Sequence, residues 1–169
     1  MQRQALFFTA PHQLELRDEP LPPLPADGLL VQTVVSAISP GTEMLLYRGQ
    51  LLADLMADAT IAALSEGGYP QKYGYAAVGC VVEVGAAVDK SWRDRLVFAF
   101  QPHQSYFIAQ PDELMPLPDG MRPETAVFLP NMETAVSFLM DAQPGIGEQV
   151  AVLGQGIVGL LTTSLLAWL

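Results

Sequence analysis

The sequence predicts a mostly β fold with helices, in which a small, strongly bent β-barrel precedes one strand–loop–helix unit. Three observations predict it. Several short runs rich in β-branched residues are separated by Gly and Pro turns. Prolines divide the helical patterns into short pieces. A glycine-rich loop, Gly154 to Gly159, lies between an apolar run and a helix-compatible run.

The composition indicates a folded chain and excludes several classes of partner. Of the 169 residues, 50% are hydrophobic, which is enough for a core. Eight Lys and Arg against 18 Asp and Glu give a net charge of −10, so neither nucleic acid nor an anionic membrane is an expected partner. Cys80 is the single cysteine, which excludes an internal disulfide and a Cys-rich zinc lobe. The first ten residues lack a secretory pattern, so we expect a cytoplasmic protein.

The first part of the chain predicts strands. Residues 3–19 alternate around a turn at Pro11 and His12, which predicts a hairpin. Prolines between Glu19 and Asp27 predict an extended connection that no helix crosses. Residues 28–38 are rich in β-branched residues and predict a buried strand.

The middle of the chain predicts one helix and three more strands. Residues 51–65 place apolar side chains at helical spacing, which predicts a surface helix. A β-rich run over residues 73–85 predicts a second buried strand. Residues 95–100 and 105–109 predict two further short strands, which complete the barrel.

The last third of the chain returns to helical patterns. Pro123 opens a pattern that continues to about Ala142, because proline is favoured in the first turn of a helix. Pro130 should kink this helix or divide it into two. After a break at residues 144–148, the run Val150 to Leu153 predicts a short apolar strand.

The loop GQGIVG has the GxGxxG spacing of a dinucleotide-binding fingerprint. Gly154 permits the tight turn out of the strand, Gly156 lets the backbone approach a pyrophosphate, and Gly159 lets the helix pack closely on the strand. The start of the helix offers free N–H groups to the phosphates. The candidate cofactor-binding residues of this loop are Gly154, Gln155, Gly156, Ile157, Val158 and Gly159.

Two other interpretations of this segment stay open. It could be a buried turn without a ligand, or residues 150–169 could be a membrane anchor, since about 20 apolar residues span a bilayer. Its three glycines, its hydroxyl side chains and the absence of flanking Lys or Arg argue against the anchor.

The residue that separates NAD from NADP would lie about 20 positions after the loop, so the choice between these two cofactors stays open.

Five segments match sequence motifs that follow one another in a fixed order. They are Ser39–Gly49 (SPGTEMLLYRG, compared with CGTDxHxYRG from Pro40 onward), Tyr73–Gly85 (GHExxG, then VxEVG), Trp92–Val97 (GDRV), Leu114–Gly120 (LxPLPDG) and Gly147–Gly159 (GExVLVxGxGxVG). Together they resemble the medium-chain dehydrogenase/reductase family, the alcohol dehydrogenase and quinone oxidoreductase group. The resemblance covers all 169 residues but only about the first half of a family member.

The resemblance implies a GroES-like catalytic β-barrel over residues 1–143 and the truncated start of a Rossmann domain over residues 144–169. It implies the N-terminal part of an NAD(P)-dependent oxidoreductase that acts on an alcohol, a carbonyl or an enone. The runs SAISPGTE and LPNMETA look closest to zinc-binding-like dehydrogenases and hydroxyethyl-bacteriochlorophyllide dehydrogenases. Because the rest of the nucleotide-binding domain is missing, we expect this chain alone to be inactive.

Departures from the family pattern imply an enzyme without zinc. Pro40 stands where zinc-dependent members have a cysteine ligand, and Tyr75 stands where they have a histidine. Hydrogen-bond donors would then have to polarise the substrate oxygen. The resemblance implies that Thr42 is a proton relay, that Tyr75 is a donor or weak acid, and that Thr134 lies near the nicotinamide.

Each of these residues also has a structural interpretation. Thr42 could cap a helix that starts at Glu43, Tyr75 could serve packing, and Thr134 could bond back to its own helix. His103 is interpreted as a solvated turn residue, and Glu43 is assigned no chemistry. A small-molecule substrate is the expected partner, and homo-oligomerisation stays open. The alternative function is a non-catalytic GroES-like binding module or pseudoenzyme.

We expect the purified protein to contain no stoichiometric zinc, because Pro40 and Tyr75 replace two ligands of a site that needs three. Metal analysis after dialysis against a chelator checks this expectation. A retained content of about one zinc per chain, the occupancy of a four-coordinate site, would contradict it.

Overall fold

A computed structural model of the protein describes residues 1–50 and 68–168. The chain forms two compact units, Met1–Val127 and Phe128–Leu169. The helix predicted over residues 51–65 lies outside the described residues.

The chain begins with the predicted hairpin. Strand β1 (Gln2–Ala10) pairs antiparallel with β2 (Gln13–Pro20), and the turn between them places His12 at φ 61°. A short strand, β4 (Gln71–Lys72), pairs with the other edge of β1 to give the order β2-β1-β4. No helix forms over residues 19–27, as the prolines predict.

A second, antiparallel sheet consists of β3 (Leu29–Ser36), β5 (Ala77–Val84), β6 (Leu96–Ala99), β7 (Tyr106–Ala109) and β8 (Met115–Pro116). Its strand order is β7-β3-β5-β6-β8. The first four confirm predicted strands. The mostly β fold class with helices is therefore confirmed.

The core of the first unit lies on the two central strands of this sheet. Leu29 and Val31 of β3 and Val81 of β5 are fully buried. Gly79 of β5 approaches β3 so closely that a Cβ atom there would lie 2.6 Å from the carbonyl oxygen of Gln32. The central ladder therefore requires glycine at this position.

Four α-helices occur in the described residues: α1 (Thr42–Tyr47), α2 (Pro123–Ala126), α3 (Leu129–Ala142) and α4 (Ile157–Leu166). Two short 3-10 helices lie at Lys90–Trp92 and Pro111–Glu113. Pro130 divides the long helical pattern as predicted, because it lies in the first turn of α3. Within the second unit, α4 packs against α3. Across residues 1–50 and 68–168, no helix has the length and apolar character needed to cross a bilayer.

The strand predicted over Val150 to Leu153 is wrong. These residues form no strand, and no described segment pairs with them. A strand needs hydrogen-bonding neighbours, whereas a helix closes its bonds within itself. Helix α4 can therefore form while residues 150–153 stay irregular. The side chain of Leu153 is 97% exposed.

Charged side chains link the three strands of the first sheet. The Glu19 carboxylate on β2 contacts Arg3 Nε on β1 at 3.1 Å and Lys72 Nζ on β4 at 2.9 Å. Burial acts to raise the pKa of Glu19, but the hydrogen bonds and charges of Lys72 and Arg3 outweigh it and lower that pKa. The carboxylate is therefore stabilised in its ionised form by folding.

We expect Glu19→Gln to lower the free energy of unfolding at pH 7 by about 1 kcal/mol or less, because the pair is partly exposed. A pKa that is lower in the folded state stabilises above the ordinary value of 4.5, and this contribution is lost as the pH falls. The difference between the two proteins should therefore shrink in acid. Urea unfolding at neutral and acidic pH measures it, with Glu15→Gln as the control, since Glu15 pairs with Arg17 of its own strand. An undiminished difference in acid would contradict the argument.

Candidate functional site

The turn before α1 is held by side chains that cap it. Ser39 Oγ accepts a hydrogen bond from the Thr42 N–H at 3.3 Å, and Glu43 Oε1 accepts one from the Ser39 N–H at 2.9 Å. The N-cap residue is Gly41, and Thr42 is the first residue of the helix. The capping interpretation of Thr42 is therefore wrong, and its hydroxyl makes no hydrogen bond to any other described residue.

A buried hydrogen-bonded chain joins Glu43 to two distant residues. Glu43 Oε2 lies 2.7 Å from Nε2 of His103, and Nδ1 of His103 lies 2.8 Å from Ser36 Oγ. Glu43 is 2% exposed and His103 is 8% exposed. The interpretation of His103 as a solvated turn residue is wrong, and Glu43, to which the sequence assigned no chemistry, is its partner.

The imidazole ring of His103 is fixed by the backbone around it. The Leu6 N–H donates to the His103 carbonyl at 2.9 Å, and the His103 N–H donates to the Tyr73 carbonyl at 3.4 Å. Gly74 adopts φ +132°, and a Cβ atom there would lie 3.0 Å from ring atoms Cδ2 and Nε2. Only glycine combines this backbone conformation with such a close approach to the ring.

Two tyrosines lie next to this buried chain. Burial raises the pKa of Tyr73 far above its ordinary value, and nearby Tyr75 and Glu43 raise it further. Tyr73 is thus a neutral phenol over the physiological range. Tyr75 precedes β5, is partly buried, and packs against two apolar clusters, one around Val78 and one around Tyr73 and Phe8.

The described residues contain no group of three or more His, Cys, Asp or Glu side chains that could hold a metal ion. Pro40 is exposed beside the capped turn. Cys80 is partly buried, and burial together with Asp94 raises the pKa of its thiol, which keeps it protonated and unreactive.

The glycines of the loop before α4 meet three different local requirements. Gly154 has φ +95°, which only glycine adopts readily. A Cβ atom on Gly159 would lie 2.0 Å from the Gly154 carbonyl oxygen, so the helix meets the loop in close contact. Gly156 is the N-cap of α4 and has no heavy atom within 4 Å of a Cβ position. The space beside its backbone is therefore open.

The first turn of α4 leaves its N–H groups available. The Leu160 N–H closes the first helical bond to the Gly156 carbonyl at 2.9 Å. The N–H groups of Ile157 and Val158, which precede it, have no intrahelical acceptor. Gln155 donates a long bond of 3.4 Å to Thr163 Oγ1 of the same unit.

Thr134 lies on α3, in the second unit. Its hydroxyl donates to the Pro130 carbonyl at 3.0 Å, four residues earlier. This is the bond back to its own helix that the structural interpretation predicts. Thr134 and the glycine loop belong to the second unit, whereas Thr42 and Tyr75 belong to the first.

Comparisons with known proteins identify the fold. No protein-family model and no curated protein match the sequence. Solved structures do, and they are structures of medium-chain dehydrogenase/reductase proteins. The chain shares their fold and spans about half of their length.

Three of these structures illustrate the likeness. The quinone oxidoreductase of Coxiella burnetii is 22% identical with a TM-score of 0.75, over 99% of this chain and 54% of that one. The CurF ER cyclopropanase of the curacin A biosynthetic pathway is 20% identical with a TM-score of 0.81, over 99% and 52%. A short chain alcohol dehydrogenase of E. coli CFT073, in complex with NADH, is 17% identical with a TM-score of 0.76, over 98% and 53%.

We expect Gly159→Ala to disorder the loop and the start of α4, because the new methyl group would overlap the Gly154 carbonyl. Overpacking of this kind costs about 1–3 kcal/mol. Gly156→Ala is the matched control, since its methyl group enters open space at φ −77°. Amide chemical shifts of residues 154–160 measure the effect. Equal shifts for the two variants would contradict the close contact.

Proposed function

We propose that this chain is the N-terminal catalytic part of a zinc-independent, NAD(P)-dependent oxidoreductase of the medium-chain dehydrogenase/reductase family. Its substrate class is a small alcohol, carbonyl or enone, and its compartment is the cytoplasm. Residues 1–143 form the GroES-like catalytic domain, and residues 144–169 begin the Rossmann domain. The observation that carries the proposal is the loop before α4, where Gly154 makes the turn at positive φ, Gly156 faces open space and Gly159 lets the helix contact the loop closely, as in a dinucleotide fingerprint.

The second unit supports the cofactor assignment. The N–H groups of Ile157 and Val158 and the positive end of the α4 dipole suit a pyrophosphate. Gly154, Gln155, Gly156 and Gly159 shape the approach to it. NAD and NADP fit this loop equally, because a ribose-binding residue would lie further along a nucleotide-binding domain. When bound, the nicotinamide supplies or accepts the hydride.

The first unit supports the assignment of the hydrogen-bond donors. Thr42 is held at the start of α1 by bonds that use its backbone, which leaves its hydroxyl for a substrate oxygen. The phenol of Tyr75 is a second donor near the same buried chain. Both would stabilise negative charge that develops on the substrate oxygen, the role that zinc has in other dehydrogenases.

We propose that the 169-residue chain is inactive alone and binds dinucleotides weakly. The adenosine and nicotinamide halves of the cofactor lie in a crevice between parallel strands, and none of the described strands pairs with residues 150–153. Calorimetric titration with NADH and NADPH measures the affinity. A dissociation constant at or below about 1 μM, which corresponds to about −8 kcal/mol, would contradict this proposal.

The test of the function uses the protein as the cell makes it, including any chain that follows Leu169. Oxidation of NADH or NADPH is measured with a panel of quinones, enones and aldehydes, and the reverse reaction is measured with alcohols. Turnover with at least one substrate is the expected result. Dinucleotide binding without any turnover would instead support the alternative, a non-catalytic module.

In that same protein, we expect Thr42→Val to lower kcat by about 100-fold, because a hydroxyl that assists proton transfer contributes at least this much. Thr42→Ser should retain most of the activity, since it keeps the hydroxyl. Dinucleotide affinity should be unchanged in both variants. If Thr42→Val turns over as fast as the parent, Thr42 has no role in the reaction.

A further inference from the structure

The buried chain of Ser36, His103 and Glu43 is not used by the function proposed above. We propose that His103 and Glu43 hold the proton that the reaction consumes or releases, and that they exchange it through the Ser36 hydroxyl. This inference rests on the proposed oxidoreductase activity. Carbonyl reduction takes a hydride onto carbon and a proton onto oxygen, and alcohol oxidation returns both.

The hydrogen bonds assign the proton positions along the chain. An ionised carboxylate only accepts, so Glu43 Oε1 accepts from the Ser39 N–H and Oε2 accepts from His103 Nε2–H. The neutral imidazole then has a lone pair on Nδ1, which accepts from the Ser36 hydroxyl at 2.8 Å. Every polar side-chain atom of His103 and Glu43 in this arrangement has a partner.

A proton can pass along the hydrogen bonds from Ser36 to His103 without movement of the imidazole ring. The Ser36 hydroxyl passes its proton to Nδ1 while its oxygen receives another from the substrate side. His103 then becomes an imidazolium that donates to Ser36 and to Glu43, and every heavy-atom contact is kept. The buried carboxylate gains a positive partner, which lowers the cost of its burial.

Of the three side chains, Ser36 is the one through which a proton can enter or leave. His103 and Glu43 are buried, whereas Ser36 is only partly buried at the end of β3. Both candidate donors are chain neighbours of residues that contact the ring. Thr42 precedes Glu43, and Tyr75 follows Gly74, whose backbone lies against the imidazole.

The titratable groups that the structure places around His103 are Glu43 and Tyr73. Glu43 belongs to α1, and Tyr73 contributes its carbonyl from the segment that precedes β5. Burial keeps Tyr73 neutral, so its phenol does not compete for the proton.

Nitrogen-15 NMR of the histidine rings tests the assigned proton positions on the 169-residue chain. We expect the proton on Nε2 of His103 in the parent. In Glu43→Gln, the Ser39 N–H still needs the amide oxygen, so the amide NH₂ must face Nε2 and the ring proton must move to Nδ1. His12, exposed in the hairpin turn, is the internal control and should not change. An Nδ1 proton in the parent, or an unchanged ring in Glu43→Gln, would overturn the inference.

Kinetics of the protein as the cell makes it test the proton transfer. Ser36→Ala keeps the His103–Glu43 pair but removes the hydroxyl that exchanges the proton, and Ser36→Thr restores that hydroxyl. We expect Ser36→Ala to lower kcat at least about 10-fold and to change its pH profile, with KM for the dinucleotide unchanged and with rescue by Ser36→Thr. An unchanged kcat and pH profile in Ser36→Ala would overturn the proton role alone. A parent protein without oxidoreductase turnover would overturn the proposed function. The proposed role of Ser36, His103 and Glu43 in proton transfer would be overturned with it.

Discussion

The burial of the Glu43 carboxylate is the constraint on which the arrangement of the first unit depends. An ionised carboxylate taken out of water costs several kcal/mol unless it is paired and hydrogen-bonded. Its pairing with His103 requires the loop before β7 to reach the start of α1. Ser105 of that loop donates to the Gln4 carbonyl of β1 and accepts from the Thr33 N–H of β3. The loop that satisfies the carboxylate therefore also joins the two sheets.

Local signals account for most of the fold that could be predicted from the sequence. The turn at Pro11 and His12 and the helix start at Pro130 follow from restricted backbone angles, which act within a few residues. The strand predicted over residues 150–153 fails for the opposite reason. Its apolar pattern is correct, but a strand forms only with a partner, and that partner is not a local property.

The residues of the candidate site also differ in whether a local signal in the sequence predicts them. The conformation of the glycine loop was predictable because its glycines act within six residues. His103 was missed because its partner Glu43 is 60 positions away and its own surroundings, PHQS, are polar. Glu43 carried a signal that could have been used: it lies three residues before Leu46, and both are buried on one face of α1. A carboxylate on an apolar helix face requires a buried partner.

The hydrogen bonds of the candidate site close within the separate units. Ser36, His103, Glu43 and the proposed donors Thr42 and Tyr75 all lie within Met1–Val127, and the hydrogen bonds that join Ser36, His103 and Glu43 involve only residues of this unit. The glycine loop of the second unit keeps its turn and its helix contact although no described strand pairs with residues 150–153. The proposed weak dinucleotide binding would then follow from the lack of a strand beside residues 150–153 among the described residues, and not from a distorted loop. Phosphate contacts alone supply only part of the affinity, because most of the ligand surface must also be buried.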